Sequence, residues 1–168
     1  QRPRDFDTSR VKLLRCCQRA GFAEAAMYNK PIGGGKSAEG LAIRFAEEAA
    51  RLWGNLDVTS SVVFDDTERR IYRVTATDLE TNTSMNQDVI IEKRVERSRV
   101  KEGQEIVARR INSQGKEVFV VQATEDDLLN KANAALSKAR RNLIHAMIPS
   151  DIREEAEETI LETMKNRD

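Results

Sequence analysis

Apolar residues recur at two different periods along this chain, and the switch between them outlines the fold. Val11, Leu14 and Cys17 fall on one side of a helix, capped by Asp7 or Thr8, that runs to Ala20 with Gly21 past its end. Ala23 to Asn29 fits either a strand or a helix, and Pro31 to Gly35 reads as a loop. Ser37 then starts a helix over Ala38–Trp53, in which Leu41, Phe45, Ala49 and Leu52 recur at helical spacing before Gly54-Asn55 ends it. The period next drops to two. Val58–Phe64, Arg70–Leu79 and Met85–Val95 predict three strands, with turns at Asp65-Asp66 and Thr81-Asn82. In the middle strand Ile71, Arg73, Thr75 and Thr77 alternate with Tyr72, Val74, Ala76 and Asp78, as a sheet with one wet face requires. Short polar connections favour an antiparallel meander.

After a charged stretch and a short strand at Glu117–Gln122, Thr124 caps a long helix, with Asp127 at the capping-box position, running to about Met147. Its stripe is Leu128, Ala132, Ala135, Leu136, Ala139, Leu143 and Met147. Lys131, Lys138, Arg141 and His145 gather opposite, at about one hundred degrees per residue. The helix is expected to pack on the sheet and to offer cations on its other side. Pro149 breaks it, and Ser150 caps an acidic helix to Lys165. The predicted class is α+β: an antiparallel meander of about three strands packed against a long helix, with flanking helices. The expected organisation is a core over residues 1–150, including a basic arm at about 93–116, and an acidic terminal helix at 151–168.

Charge changes the picture locally rather than globally. The 168 residues carry 28 bases and 28 acids; zero net charge argues weakly against a nucleic-acid partner and does not say where cations gather. The distribution does: residues 93–116 hold eight Lys/Arg against three Glu, residues 131–145 hold four bases and no acid, and residues 151–168 hold seven acids against three bases. Residues 94–116 read as a mobile arm or a long protruding hairpin. No secretory leader and no membrane span are expected, and the adjacent pair Cys16-Cys17 forms no disulfide framework. A reducing, cytoplasmic compartment fits. The opening at Gln1 rather than Met is what a fragment or processed product would show.

Gly33-Gly34-Gly35-Lys36-Ser37 matches the end of a phosphate-binding loop, but the first glycine that loop needs is Lys30 here, so the ATP motif fails. What remains is a glycine-rich loop entering a helix N-terminus, a weak anion site or a plain connector, with Lys30 and Lys36 adding charge. Arg44, one turn into that helix, either touches a phosphate or pairs with Glu47 or Glu48. Trp53 and Tyr28 could stack on bases, though a tryptophan at a helix end more often plugs a core. Asp78 and Glu80 share one side of a strand; a turn-forming acidic pair explains them better than a magnesium site. His145 is the lone histidine, so neither a zinc site nor histidine catalysis is expected.

Gly34-Gly35-Lys36, Glu39-Gly40 followed by Ile43-Arg44-Phe45-Ala46-Glu47, Trp53-Gly54-Asn55, Asp78-Leu79-Glu80-Thr81-Asn82, and Ala139-Arg140-Arg141-Asn142 leading to Ile148-Pro149 stand in an order that resembles phage-type single-strand annealing recombination proteins, the RecT, Redβ and Erf grouping. The resemblance covers about residues 26–160. It implies ATP-independent binding of single-stranded DNA and pairing of complementary strands. It also implies assembly into rings or helical filaments, with no covalent catalysis, cofactor or metal. Lys36, Arg44 and Arg141 are then the first backbone contacts, with Lys30, Lys138 and Arg140 beside them and Lys93, Arg94 and Arg97 on the arm as a second tier. The expected track is a groove between the meander and the long helix. The acidic helix would face a neighbouring subunit or a partner exonuclease. The alternatives are a structural or assembly protein of a virus particle and, behind it, a metal-dependent nuclease using Asp78 and Glu80.

Overall fold

A computed structural model describes residues 2–167. In chain order the elements are α1 (Phe6–Cys17), α2 (Ala20–Ala26), β1 (Met27–Gly33), β2 (Lys36–Leu41), α3 (Ile43–Trp53), β3 (Leu56–Asp65), β4 (Arg69–Asp78) and β5 (Thr83–Glu92). They continue with β6 (Arg94–Arg97), β7 (Ile106–Ile111), β8 (Glu117–Gln122), α4 (Glu125–Met147) and α5 (Ser150–Lys165). The α+β class is as expected: β3-β4-β5 form a three-stranded antiparallel sheet packed against the long helix α4. The turns at Asp65-Asp66 and Thr81-Asn82 also form. Asp66 Oδ1 accepts the Glu68 and Arg69 N–H groups at 2.8 Å each, and Asn82 takes a left-handed φ of 55°. The capping box of α4 closes as predicted, with Asp127 N–H on Thr124 Oγ1 at 3.1 Å and Thr124 N–H on Asp127 Oδ2 at 3.4 Å.

The chain divides into two compact units. The first draws on Gln1–Thr59, Thr75–Gln87 and Ser137–Asp168; the second on Ser60–Val74 and Asp88–Leu136. The first unit has a continuous core. Leu13 and Cys17 of α1, Ala23 and Ala26 of α2, and Leu41 of β2 meet Phe45, Ala46, Ala49 and Trp53 of α3 there. Ile144, Ile148, Ile152, Ala156 and Ile160 complete it. Phe45 is fully enclosed, and truncating such a side chain costs about 3–5 kcal/mol. The acidic helix α5 belongs to this core through Ile152, Ala156 and Ile160, spaced to share one helix face. In the second unit Val89, Ile91 and Val95 are buried, as are Val118, Val121, Leu128 and Ala132.

Several expectations are corrected. The cap of α1 is Asp5, whose carboxylate accepts the Thr8 N–H at 2.7 Å, and the helix stops at Cys17, not Ala20. The ambiguous stretch 23–29 splits into the end of α2 and the start of β1. No helix starts at Ser37. Lys36–Leu41 is a strand paired with β1, and α3 begins at Ile43. The apolar period misled because Leu41, four residues before Phe45, faces the same core from a strand. The pairing needs a glycine at position 40, because the Tyr28 ring lies 3.0 Å from where a Cβ there would stand. Helix α5 starts after Pro149 with no side-chain cap from Ser150. In place of a mobile arm, β6 and β7 flank β8 in a second antiparallel three-stranded sheet of order β6-β8-β7.

Candidate nucleic-acid interface

The β1–β2 hairpin carries the site. Its turn is Gly34-Gly35, at φ 61° and 70°, the left-handed pair that two-residue hairpin turns need. The glycine-rich segment therefore reverses a strand and does not enter a helix N-terminus, so the expected anion site of helix amides is absent there. Cross-strand partners share a face. Tyr28 opposes Gly40, Lys30 opposes Ala38, and alternation along β2 puts Lys36 on the side of Ala38 and Gly40. Tyr28, Lys30 and Lys36 thus line one face of the hairpin. Asn29 and Glu39 take the other, where Asn29 donates to Glu39 Oε1 at 3.0 Å. The acid of the hairpin is segregated from its lysines.

Helix α4 adds to the first face. The Arg141 guanidinium lies 5.0 Å over the Tyr28 ring, a cation–π contact. Lys138, one turn earlier on the same side, is exposed. Among the described residues of the first unit, none of Lys30, Lys36, Arg44, Lys138, Arg140 or Arg141 forms an ion pair. Arg140 is exposed and has no part in the apolar stripe. Arg44 is the second residue of α3. It pairs with neither Glu47 nor Glu48, since Glu48 is taken by Arg51. It lines a cavity of about 340 Å³ with Arg19, Phe22, Ala25, Glu47 and Glu48. Arg19 was not legible as a site residue, because extending α1 to Ala20 hid the break that exposes it.

His145 leaves the cation row. Its ring packs 5.8 Å from that of Phe45, and burial, with Arg153 and Arg141 nearby, pushes its pKa down to about 4. It is neutral near pH 7, and its Nε2 has no hydrogen-bond partner. Trp53 is a core residue rather than a base platform: it is 4% exposed and Phe6 meets it edge-on at 5.3 Å.

The cations of the second unit are arranged differently. Lys93 pairs with Asp65, Arg94 with Glu68 at 3.2 Å and Arg97 with Asp127 at 3.8 Å. Arg110 pairs with Glu96 and Arg73 with Asp88. Lys93 foremost, and Arg70 after it, hold Asp65 below the usual carboxylate range.

Asp78 and Glu80 are structural. Arg4 donates from Nη1 to Asp78 Oδ2 at 3.1 Å, from Nε to the Trp53 carbonyl at 3.0 Å and from Nη2 to the Gly54 carbonyl at 2.9 Å; its own N–H reaches Glu80 Oε1 at 2.8 Å. Glu80 and Thr81 N–H groups bond Asp78 Oδ1, Asn55 Nδ2 donates to Glu80 Oε2, and Leu79 N–H donates to the Asn55 carbonyl. Burial alone would raise the Asp78 carboxyl; Arg4 and the two N–H donors outweigh it and hold its pKa low. The segments Trp53-Gly54-Asn55 and Asp78-Leu79-Glu80 are therefore two halves of one junction that Arg4 closes. Among the described residues no cluster of three metal-ligating side chains occurs.

No family model, curated protein or solved structure matches the chain. Among the described residues no helix is long and apolar enough to cross a membrane.

Proposed function

We propose that this protein binds single-stranded DNA and anneals complementary strands without ATP, as in phage-type recombination, acting as an oligomer and with no covalent step. One observation carries the reading: Lys30 and Lys36 share one face of the β1–β2 hairpin with Tyr28, Arg141 of α4 lies over that ring, and none of the three cations has a carboxylate partner among the described residues of their unit. A row of uncompensated cations is a polyanion site, because each phosphate neutralised releases counterions. Same-face strand positions repeat at about 7 Å, on the order of two phosphate steps of a stacked strand. Lys138 extends the row along α4, and Arg44 offers a further contact at the start of α3. Arginine on an aromatic face keeps its charge while presenting a flat surface to a base. Repetition of this weak track over several subunits would give tight binding to one long strand despite zero net charge. The order of motifs shared with the RecT, Redβ and Erf grouping supports the same reading.

Two complementary oligonucleotides, one labelled with a donor and one with an acceptor fluorophore, test it directly. Annealing faster with protein than without, in the absence of ATP, is expected. Single-strand affinity should fall steeply between low and moderate salt. Flat affinity, or annealing no faster than spontaneous pairing, would sink the proposal. A shell protein of a virus particle would instead assemble alone on gel filtration and ignore DNA.

A further inference from the structure

Ile32 is an apolar side chain displayed where a folded chain ordinarily hides one. It is 62% exposed at the tip of the β1–β2 hairpin. The register slips between Pro31 and Gly33, so Ile32 is the extra residue of a β-bulge, with no partner across the strand pair. Gly33, Gly34 and Gly35 follow it, all at positive φ, and a Cβ placed on any of them would meet nothing within 4 Å. These glycines shape the turn and relieve no crowding, so the tip stands clear of the rest of its unit. The hairpin is also a sheet of its own, with no third strand beside it among the described residues. Lys30 lies two residues before Ile32 and Lys36 just past the turn, both exposed and without an ion pair among the described residues of their unit.

We propose that Ile32 is a wedge that enters between neighbouring bases of a bound single strand and opens the stack at that step. This rests on the single-strand reading above. The two lysines hold phosphates on either side of the tip, and the apolar tip then faces base planes rather than water. Side chains of this kind unstack base steps in other protein–DNA complexes. A single isoleucine fits one base step. A membrane surface, the other anionic target for a basic and apolar tip, asks for a broader apolar face or a second anchor. Opening the stack exposes base edges to an incoming complementary strand, which is the step annealing needs.

The test is a single strand carrying 2-aminopurine at several interior positions, whose emission rises when its neighbours unstack. The full chain should raise the emission at saturation. Ile32→Ser should bind with affinity within about threefold, since phosphates dominate binding, and should lose most of the rise. Ile32→Leu should keep it. Lys30→Gln with Lys36→Gln should weaken binding yet retain the rise once saturated. Emission that rises equally with Ile32→Ser, or wild-type binding with no rise, overturns the wedge and leaves the annealing proposal standing. Wild-type protein that binds no strand at all overturns both. Sedimentation with phosphatidylserine-containing vesicles, lost in Ile32→Ser, would make the tip a membrane anchor and overturn the wedge as well.

Discussion

The two units of this chain pair their cations to different extents. In the second unit the basic side chains Arg70, Arg73, Lys93, Arg94, Arg97 and Arg110 each reach a carboxylate, while Arg99, Lys101, Arg109 and Lys116 reach none among the described residues. In the first unit the hairpin and α4 cations reach none among the described residues, while Arg4 and Arg10 are spent internally on Asp78, Glu80 and Glu155. Counting residues by segment made 93–116 the more basic region. Pairing narrows that difference, because Lys93, Arg94, Arg97 and Arg110 each sit beside a carboxylate, and a base so placed offers a phosphate little net field. On the proposed strand track Lys93, Arg94 and Arg97 should then contribute less than their sequence density implies, and Lys30, Lys36 and Arg141 more.

The largest effect should come from the junction that separates structural from available cations in the first unit. Arg4→Ala leaves the buried Asp78 carboxylate without its cation and the Trp53 and Gly54 carbonyls without the guanidinium donors, and should cost about 3 kcal/mol or more in a urea titration. An unmoved midpoint would mean that Arg4 is as available as Arg141. Next, replacing Lys30, Lys36 and Arg141 together by Gln should weaken single-strand binding about 100-fold at low salt and lower the log–log salt slope by about 2. Stability should change by less than about 1 kcal/mol, the scale of the lost Arg141–Tyr28 contact. The matching variant Lys93→Gln, Arg94→Gln, Arg97→Gln should lower the denaturation midpoint and leave the slope within about 0.7 of wild type. Equal slopes for the two variants would erase the contrast between the units.

A smaller effect tests His145. Its folded pKa of about 4 lies below the unfolded value of about 6.5. The unfolded chain then binds the extra proton between those values, so stability is full above pH 6.5 and falls as pH drops towards 4. Allowing for the ring's residual contact with water, the loss is on the order of 1–2 kcal/mol. His145→Leu should remove it and flatten the acid limb of a stability–pH curve. An unchanged limb would return His145 to the cation row of α4.

Elements with long, regular periods were legible in the sequence, and so were turns with their own chemistry. The stripe of α4, the Thr124–Asp127 box, the alternation of β4 and the Asx turn at Asp66 all depend on neighbours within a few residues. The hairpin was not legible. Lys36–Leu41 satisfies a helical period as well as a strand, and only pairing with Met27–Gly33 decides between them. Arg4 was invisible as a structural residue because its partners lie about fifty and seventy-five residues away in the chain.

The sequence by itself determined which stretches are helix or strand wherever one period dominates, and it named the cations. Only the tertiary structure decided which of those cations keep their charge for an outside partner. Long-range pairing sets that balance: the second unit brings Asp127 of α4 to Arg97 and Glu96 of β6 to Arg110, while the register of β1 with β2 puts Glu39 on the face away from Lys30 and Lys36.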